Sequence, residues 1–461
     1  MIVLGTAAAY LGAAFIGLVV LALIEPGNRG ERGVGEKLAL GFALGSGIIG
    51  FYLFYLGVLQ IPFTFFSVTG VLWPFLALSL LPAGRRGWKG FLAFRRRCLS
   101  PPPNWKKRLL VTGIGLLLAW RMFFAVFGAL HIPTYFDDSV ANYNFKPKVF
   151  YHTGSIVLDP ESPLFLGGYR PAYPQQLPLF KVWVMTWTGG WNEPSVNLIT
   201  PLIYLCLGLT AWGFFRRRLA GTESLIFTYL ILSLPLLAFH SAFAYMDINV
   251  AFYLFAAVGC LLDWFRRRQP GDFWLSALLL GIGLSTKDEM LALGAAGLLP
   301  PLILYLAVSR TRWPQALGKA GLYLTGVLCA NIPWFILKRL YGLAVGPRPE
   351  ERCFEFHPEA FGILAGFLLG TGNYNILWPV FIGGVLAGAG LLWKSELKYL
   401  LLSLLGTLAI TLALFICTPF FEFLRIGTTI NRAMMIVAPL AVFYLAVLYG
   451  LLTAKKGNQD G

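Results

Sequence analysis

Apolar runs of about twenty residues, the length that crosses a bilayer, recur from the start of this chain almost to its end. Only 13% of the residues are charged, about half of the roughly 25% that is usual in soluble domains. We therefore expect an all-α polytopic membrane protein. By span length we predict about 13 transmembrane helices, near residues 4–24, 38–58, 62–82, 108–130, 196–215, 223–241, 247–265, 272–287, 290–308, 316–338, 376–393, 398–418 and 432–452.

Lysine and arginine residues form short clusters between these runs, for example at 85–97, 216–218 and 266–268. Clusters at helix ends on one side follow the positive-inside rule, so the net charge of +16 does not indicate a nucleic-acid partner. This rule places the N-terminus outside the cell membrane and the tail 453–461 in the cytoplasm. The inner loops are short and carry no phosphate-binding glycine motif, which disfavours a nucleotide-dependent cytoplasmic reaction.

Two longer polar segments, 131–195 and 339–375, fall outside the membrane on this topology. Within the first, residues 177–190 are apolar but too short to cross, so we expect a juxtamembrane helix with Trp183 and Trp187 at headgroup level. All four histidines and thirteen of the 21 carboxylates lie on the outer side of this topology. We therefore predict that any chemistry takes place at the outer face.

The first candidate site residues are the adjacent carboxylates Asp137 and Asp138, directly after a predicted span. One of them could act as a base for a hydroxyl, or the pair could simply cap the next helix. Arg170 follows in a proline-rich stretch with Tyr173. Its guanidinium suits a phosphate, although an arginine that reaches lipid headgroups would look the same.

Further candidates occupy short outer turns. Asp247 lies at the membrane boundary, where an ionisable residue is either functional or a helix cap. Lys287 lies in a turn with Asp288 and Glu289; it could bind a phosphate, or the charges of the turn could neutralise one another. Arg432 opens the last predicted span.

The order of these motifs resembles the polytopic GT-C glycosyltransferases, in particular the protein mannosyltransferases and the lipid A aminoarabinose transferases. The resemblance covers residues 108 to about 452. The residues that carry it are Asp138 with Asn142, Tyr143, Lys146 and Lys148; Tyr173, Pro174 and Pro178; Tyr245 and Asp247; Thr286, Lys287 and Glu289; Asn331, Pro333 and Trp334; and Arg432.

The resemblance implies transfer of a sugar, with inversion, from a polyprenyl-phosphate carrier to an acceptor hydroxyl of a lipid-linked glycan or glycolipid at the outer face. It implies Asp138 as the general base, with Asp137 as the alternative, and Asp247 as a second acid that positions substrate. Arg170, Lys287 and Arg432 would bind the donor phosphate. We further predict as substrate-binding residues Tyr143, Lys146, Tyr173, His240, Tyr245 and Glu289.

No cofactor or metal is predicted, because the acids are scattered and no D-x-D or paired-histidine motif occurs at ligand spacing. Residues 1–107 form a predicted three-helix addition to which the sequence assigns no function. Two other protein classes remain open. An O-antigen ligase or polymerase would rely on Arg348, Arg352 and His357, whereas a secondary transporter would carry charges at the bilayer midplane. The transferase alone requires both Asp138 and Asp247.

Overall fold

The computed structural model describes residues 1–25, 32–81, 104–309, 313–345, 353–369 and 372–457. These residues are helical with connecting turns and contain no strand, as expected for a backbone that must satisfy its own hydrogen bonds in lipid. The basic cluster at 85–97 and the loop arginines Arg348 and Arg352 lie outside the described residues.

The first group of helices is α1 (Ile2–Ile24), α2 (Val34–Val58), α3 (Phe65–Thr69), α4 (Leu72–Leu80), α5 (Trp105–His131), α6 (Phe145–Thr153), α7 (Gln176–Thr188), α8 (Glu193–Asn197), α9 (Ile199–Arg216), α10 (Gly221–Leu232) and α11 (Pro235–His240). The second is α12 (Asp247–Arg267), α13 (Pro270–Thr286), α14 (Glu289–Val308), α15 (Trp313–Leu328), α16 (Ile332–Leu340), α17 (Ala360–Leu369), α18 (Leu377–Leu392), α19 (Leu397–Ile416), α20 (Phe421–Ile426) and α21 (Thr428–Gly457). A π-helix, Ser139–Asn144, precedes α6, and a 3₁₀ turn, Phe165–Gly167, precedes α7.

Eight helices in the described parts of the chain are long and apolar enough to cross a membrane, or nine if α15 and α16, which meet at a 65° bend, form one span. The prediction of about 13 spans is therefore not confirmed in number. The predicted span at 62–82 is divided at Gly70 and Val71, and the predicted span at 223–241 is divided before Pro235. Proline at the first position of a helix favours a new start, which accounts for the second break.

Helix α12 lies at the centre of the bundle, and the side chains from Asp247 to Phe265 are buried. It packs against α9, α13, α14 and α21. A short turn joins α12 to α13, so the two run antiparallel and the end of α13 lies beside the start of α12. This arrangement gathers Asp247, Lys287 and the start of α21 at one end of the bundle, which we call the site end.

The opposite end of α12 is held by a basal ion network, formed by Arg32, Glu36, Arg217, Arg218, Asp263, Arg267, Asp272 and Glu396. Arg217, for example, lies 2.6 Å from a Glu36 oxygen and 2.8 Å from an Asp263 oxygen. Arginines that the sequence places at inner helix ends are thus paired with carboxylates inside the protein.

The N-terminal helices are part of this bundle. Helices α1 and α2 approach so closely that a Cβ at Gly17 would lie 1.7 Å from the Gly41 carbonyl oxygen, and one at Gly45 would lie 1.8 Å from that of Ala13. Helix α7 packs across both. Trp183 of α7 is fully buried and its indole N–H donates to the Ala9 carbonyl at 2.9 Å. The expectation of Trp183 at headgroup level was wrong, because this helix buries its aromatic face against protein.

Candidate functional site

The centre of the site end is a buried carboxylate that binds two cations. Asp247, the first residue of α12, is fully buried. One of its oxygens lies 2.8 Å from the Arg432 guanidinium and the other accepts from Lys287 Nζ at 3.1 Å. Lys287 also approaches Glu289 at 2.9 Å. A buried carboxylate requires such partners, because desolvation of an unpaired charge is costly.

Asp138 is the second carboxylate of the cluster. Its oxygens lie 3.4 Å from the Arg432 guanidinium and 3.8 Å from that of Arg170, and one accepts from the Asn142 amide at 3.0 Å. Asp138 directly precedes the π-helix, whose wider turn is rare and is often found at functional sites. Arg432 therefore bridges two carboxylates from segments more than one hundred residues apart.

Asp137 and Asp138 have different environments. Asp137 is exposed, and its carboxylate accepts from the backbone N–H of Asp138 at 2.7 Å. This contact is of the local capping kind. Asp138 faces the cluster, so it alone of the two adjoins the cations.

Arg170 forms the accessible edge of the cluster. Its guanidinium donates to the Tyr173 hydroxyl at 2.7 Å and is 39% exposed. Burial and the nearby Asp138 charge raise the pKa of Tyr173, so its hydroxyl stays protonated at neutral pH and can donate a hydrogen bond. A phosphate at this edge could replace the long contact between Arg170 and Asp138.

Aromatic and imidazole groups line the other side. The Arg432 guanidinium lies 4.5 Å from the Tyr245 ring centre, within cation–π range. The His240 ring lies 5.1 Å from the same ring. His240 is buried, and its Nδ1 has no hydrogen-bond partner among the described residues. Tyr143 is buried within range of the Lys287 and Asp138 charges, and burial raises the pKa of its hydroxyl.

Two lysines occupy places that the sequence did not indicate. The sequence left open whether Asp288 neutralises Lys287; Asp288 instead accepts from Lys338 of α16, which is buried. Lys146 is also buried, and its ammonium group donates to the backbone carbonyl of Arg170 at 2.8 Å. Lys146 therefore contacts the cluster through the chain that carries Arg170.

A buried polar layer supports Asn144, the last residue of the π-helix. Lys181 of α7 donates to Asn144 at 2.5 Å and to Asn197 at 3.0 Å. The amides of these two asparagines in turn donate to the Thr134 hydroxyl, and the Thr134 backbone N–H donates to Glu193 at 2.7 Å. This layer was not predicted from the sequence, although a lysine inside an apolar helix indicates an interior position with hydrogen-bond partners.

The remaining polar candidate lies apart from this cluster. His357 stacks on Phe421 at 4.3 Å between the carboxylates of Glu355 and Glu359. Within the described residues, no group of three or more His, Cys, Asp or Glu side chains is placed to hold a metal ion.

The twelve predicted site residues thus fall into two sets. Nine contact one another directly or through one side chain, namely Asp138, Arg170, Tyr173, His240, Tyr245, Asp247, Lys287, Glu289 and Arg432. Asp137, Tyr143 and Lys146 adjoin this set. No family model, curated protein or solved structure matches this chain.

Proposed function

We propose that this protein is a membrane glycosyltransferase that moves a sugar from a polyprenyl-phosphate donor to the hydroxyl of a lipid-linked glycan or glycolipid. The observation that carries the proposal is the bridge made by Arg432 between Asp138 and Asp247, with Lys287 and Arg170 beside it. A base and a set of cations are then within one side-chain length of each other. This is the pairing that transfer from a phosphate requires.

In the proposed reaction, Asp138 accepts the proton of the acceptor hydroxyl. The hydroxyl oxygen forms a bond to C1 of the sugar, and the bond from C1 to the phosphate oxygen breaks with inversion. The polyprenyl phosphate leaves with the bonding electron pair. Its added negative charge is stabilised by Arg170 and Arg432, because preorganised cations act where charge develops in the transition state.

Asp247 has a different role in this scheme. It is fully buried and both of its oxygens are occupied by cations, so it orients Arg432 and Lys287 toward the donor. The exposed edge at Arg170 is where the donor phosphate enters from the bilayer.

The proposal includes the topology predicted from the sequence, with about 13 transmembrane helices, the cluster at the outer face, the N-terminus outside and the C-terminus inside. Single-cysteine variants that retain only Cys353 or only Cys98 test it in intact cells with a membrane-impermeant maleimide. Cys353 should react and Cys98 should not. Labelling of Cys98 alone would show that the topology is inverted and that the cluster faces the cytoplasm.

The activity is tested with the purified protein in nanodiscs and a panel of polyprenyl-phosphate monosaccharides labelled in the sugar. We expect the wild type to release polyprenyl phosphate from one donor, and Asp138→Asn to lower the rate by about 10²–10⁴-fold, the usual contribution of a general base. Glu422→Gln is the matched control, since Glu422 pairs with Arg425 at the protein surface. Equal rates in the two variants would remove Asp138 as the base.

A further inference from the structure

The chain that carries Arg170 has a strained backbone. Leu166 and Arg170 both have φ of 48°, and Gly167 and Gly168 between them have φ of 88° and 84°. A left-handed conformation costs a non-glycine residue about 1–2 kcal/mol. Arg170 also precedes Pro171, a position that disfavours helical conformations. Two non-glycine residues with positive φ within five positions persist only where the surroundings hold them.

Lys146 provides that support. Its ammonium group donates to the Arg170 carbonyl at 2.8 Å, and the same carbonyl accepts from the Tyr173 backbone N–H at 3.1 Å. The lysine stem also lies against the loop, because a Cβ at Gly167 would lie 2.7 Å from Lys146 Cγ. The backbone on both sides of the guanidinium is thereby fixed to α6.

Stability alone does not account for this lysine. Its side chain is fully buried, and among the described residues no carboxylate forms an ion pair with it. Burial, with a smaller contribution from the Lys338 charge, lowers the pKa of Lys146 to about 7. An ammonium group buried without a counter-charge is destabilising relative to an apolar side chain of similar length. Residues that cost stability in this way are characteristic of functional sites.

We infer that Lys146 is a positioning residue, which holds the Arg170 backbone so that the guanidinium faces Tyr173 and Asp138 and can receive the phosphate of a polyprenyl-phosphate lipid. The inference rests on the proposed function for the identity of the lipid. It departs from the prediction that Lys146 binds substrate, since the ammonium group reaches the donor only through Arg170.

Two lysines of one short stretch provide the test. Lys146→Met removes the hydrogen bond and keeps the apolar stem. Lys148→Met is the matched control, because Lys148 lies two residues away and places its ammonium 4.3 Å from the Trp191 ring centre. Hydrogen–deuterium exchange of residues 164–173 then measures the support without any ligand. We expect faster exchange in Lys146→Met, unchanged exchange in Lys148→Met, and no loss of thermal stability in Lys146→Met.

Binding of decaprenyl phosphate in nanodiscs measures the consequence. We expect Lys146→Met to raise the Kd about tenfold, which corresponds to about 1.4 kcal/mol, and Lys148→Met to leave it unchanged. Arg170→Ala should weaken binding at least as much. The double variant of Lys146 and Arg170 should bind no more weakly than Arg170→Ala alone, because coupled residues are non-additive.

The outcomes separate the two proposals. Unchanged exchange in Lys146→Met overturns the positioning role whatever the binding shows. Faster exchange with wild-type affinity also overturns it, and so do additive losses in the double variant. Failure of the wild type to bind decaprenyl phosphate, with faster exchange in Lys146→Met, overturns the proposed function and leaves the mechanical role of Lys146 intact.

Discussion

The two central carboxylates should respond differently to neutralisation. Asp247 is fully buried and binds Arg432 at 2.8 Å and Lys287 at 3.1 Å. Asp247→Asn removes the charge that compensates both cations. Loss of one partner from a buried ion pair costs about 3–5 kcal/mol, and the low end applies here because Asn keeps one acceptor and because Asp138 and Glu289 still adjoin the cations.

Asp138→Asn should cost much less. The Asp138 side chain is partly accessible, and its ionic contacts are longer, at 3.4 Å and 3.8 Å. Asparagine still accepts from the Asn142 amide, so we expect a loss of about 1 kcal/mol, the scale of a single hydrogen bond. Its effect on transfer should nevertheless be about 10²–10⁴-fold.

The assay pairs two measurements on each variant in nanodiscs, the midpoint of thermal unfolding from tryptophan fluorescence and the rate of sugar transfer. We expect Asp247→Asn to lose both stability and transfer, and Asp138→Asn to lose transfer with a near-native midpoint. If Asp138→Asn unfolds as early as Asp247→Asn, then Asp138 is a structural member of the ion cluster. In that case its loss of transfer would carry no information about a base.

Three further predictions concern the scaffold. Gly17→Ala should lower the unfolding midpoint, since overpacking costs about 1–3 kcal/mol and a Cβ there meets backbone at 1.7 Å; Gly113→Ala, where nothing lies within 4 Å, should leave the midpoint unchanged. Glu36→Gln should lower the free energy of unfolding by about 3–5 kcal/mol, because it breaks a buried ion pair, whereas Glu422→Gln at the surface should leave it unchanged. Equal unfolding midpoints in these two variants would contradict the packing of α2. The pKa of Lys181 is lowered to about 7 by burial, so the unfolded chain binds more protons between pH 7 and pH 10.5. Stability should therefore rise with pH across that window in the wild type and less so in Lys181→Met, and parallel pH curves of the midpoint would count against this reasoning.

The sequence predicted which residues share the site end, because helix ends alternate between the two sides of a membrane. Asp247 opens one helix, Lys287 follows the end of the next, and Arg432 opens the last. This alternation places the three residues at the same end, and the packing of α12 against α13 and α21 brings them into contact. The same reasoning cannot give the direction of a side chain around its helix, so it did not predict that Asp288 pairs with Lys338 of α16.

Breaks within apolar runs were harder to predict. The runs at 62–82 and 223–241 have the length of a span, yet each contains two short helices. Gly70 and Pro235 are local signals for such breaks. Lys181 is a clearer indication in the sequence that α7 is buried. A fully buried lysine needs protein acceptors, and Asn144 and Asn197 supply them.

The two ends of α12 show why charge pairing alone does not identify a site. Asp247 and Asp263 lie sixteen residues apart on this helix, about 24 Å, and both are buried and bound by cations. Around Asp263 the basal ion network is closed, since Arg217 and Arg218 contact this carboxylate at 2.8 Å and 3.1 Å and are themselves largely buried. At its edge, Arg266 is 42% exposed and lies 3.6 Å from Glu396. The site end is open, because Arg170 is 39% exposed on a strained backbone and holds Asp138 only at 3.8 Å. A phosphate can compete for a cation that is exposed and loosely paired. Arg266 is a helical residue of α12, whereas Arg170 lies on a left-handed backbone, so the proposed function places the donor phosphate at the site end, while the basal ion network holds the helices that position it.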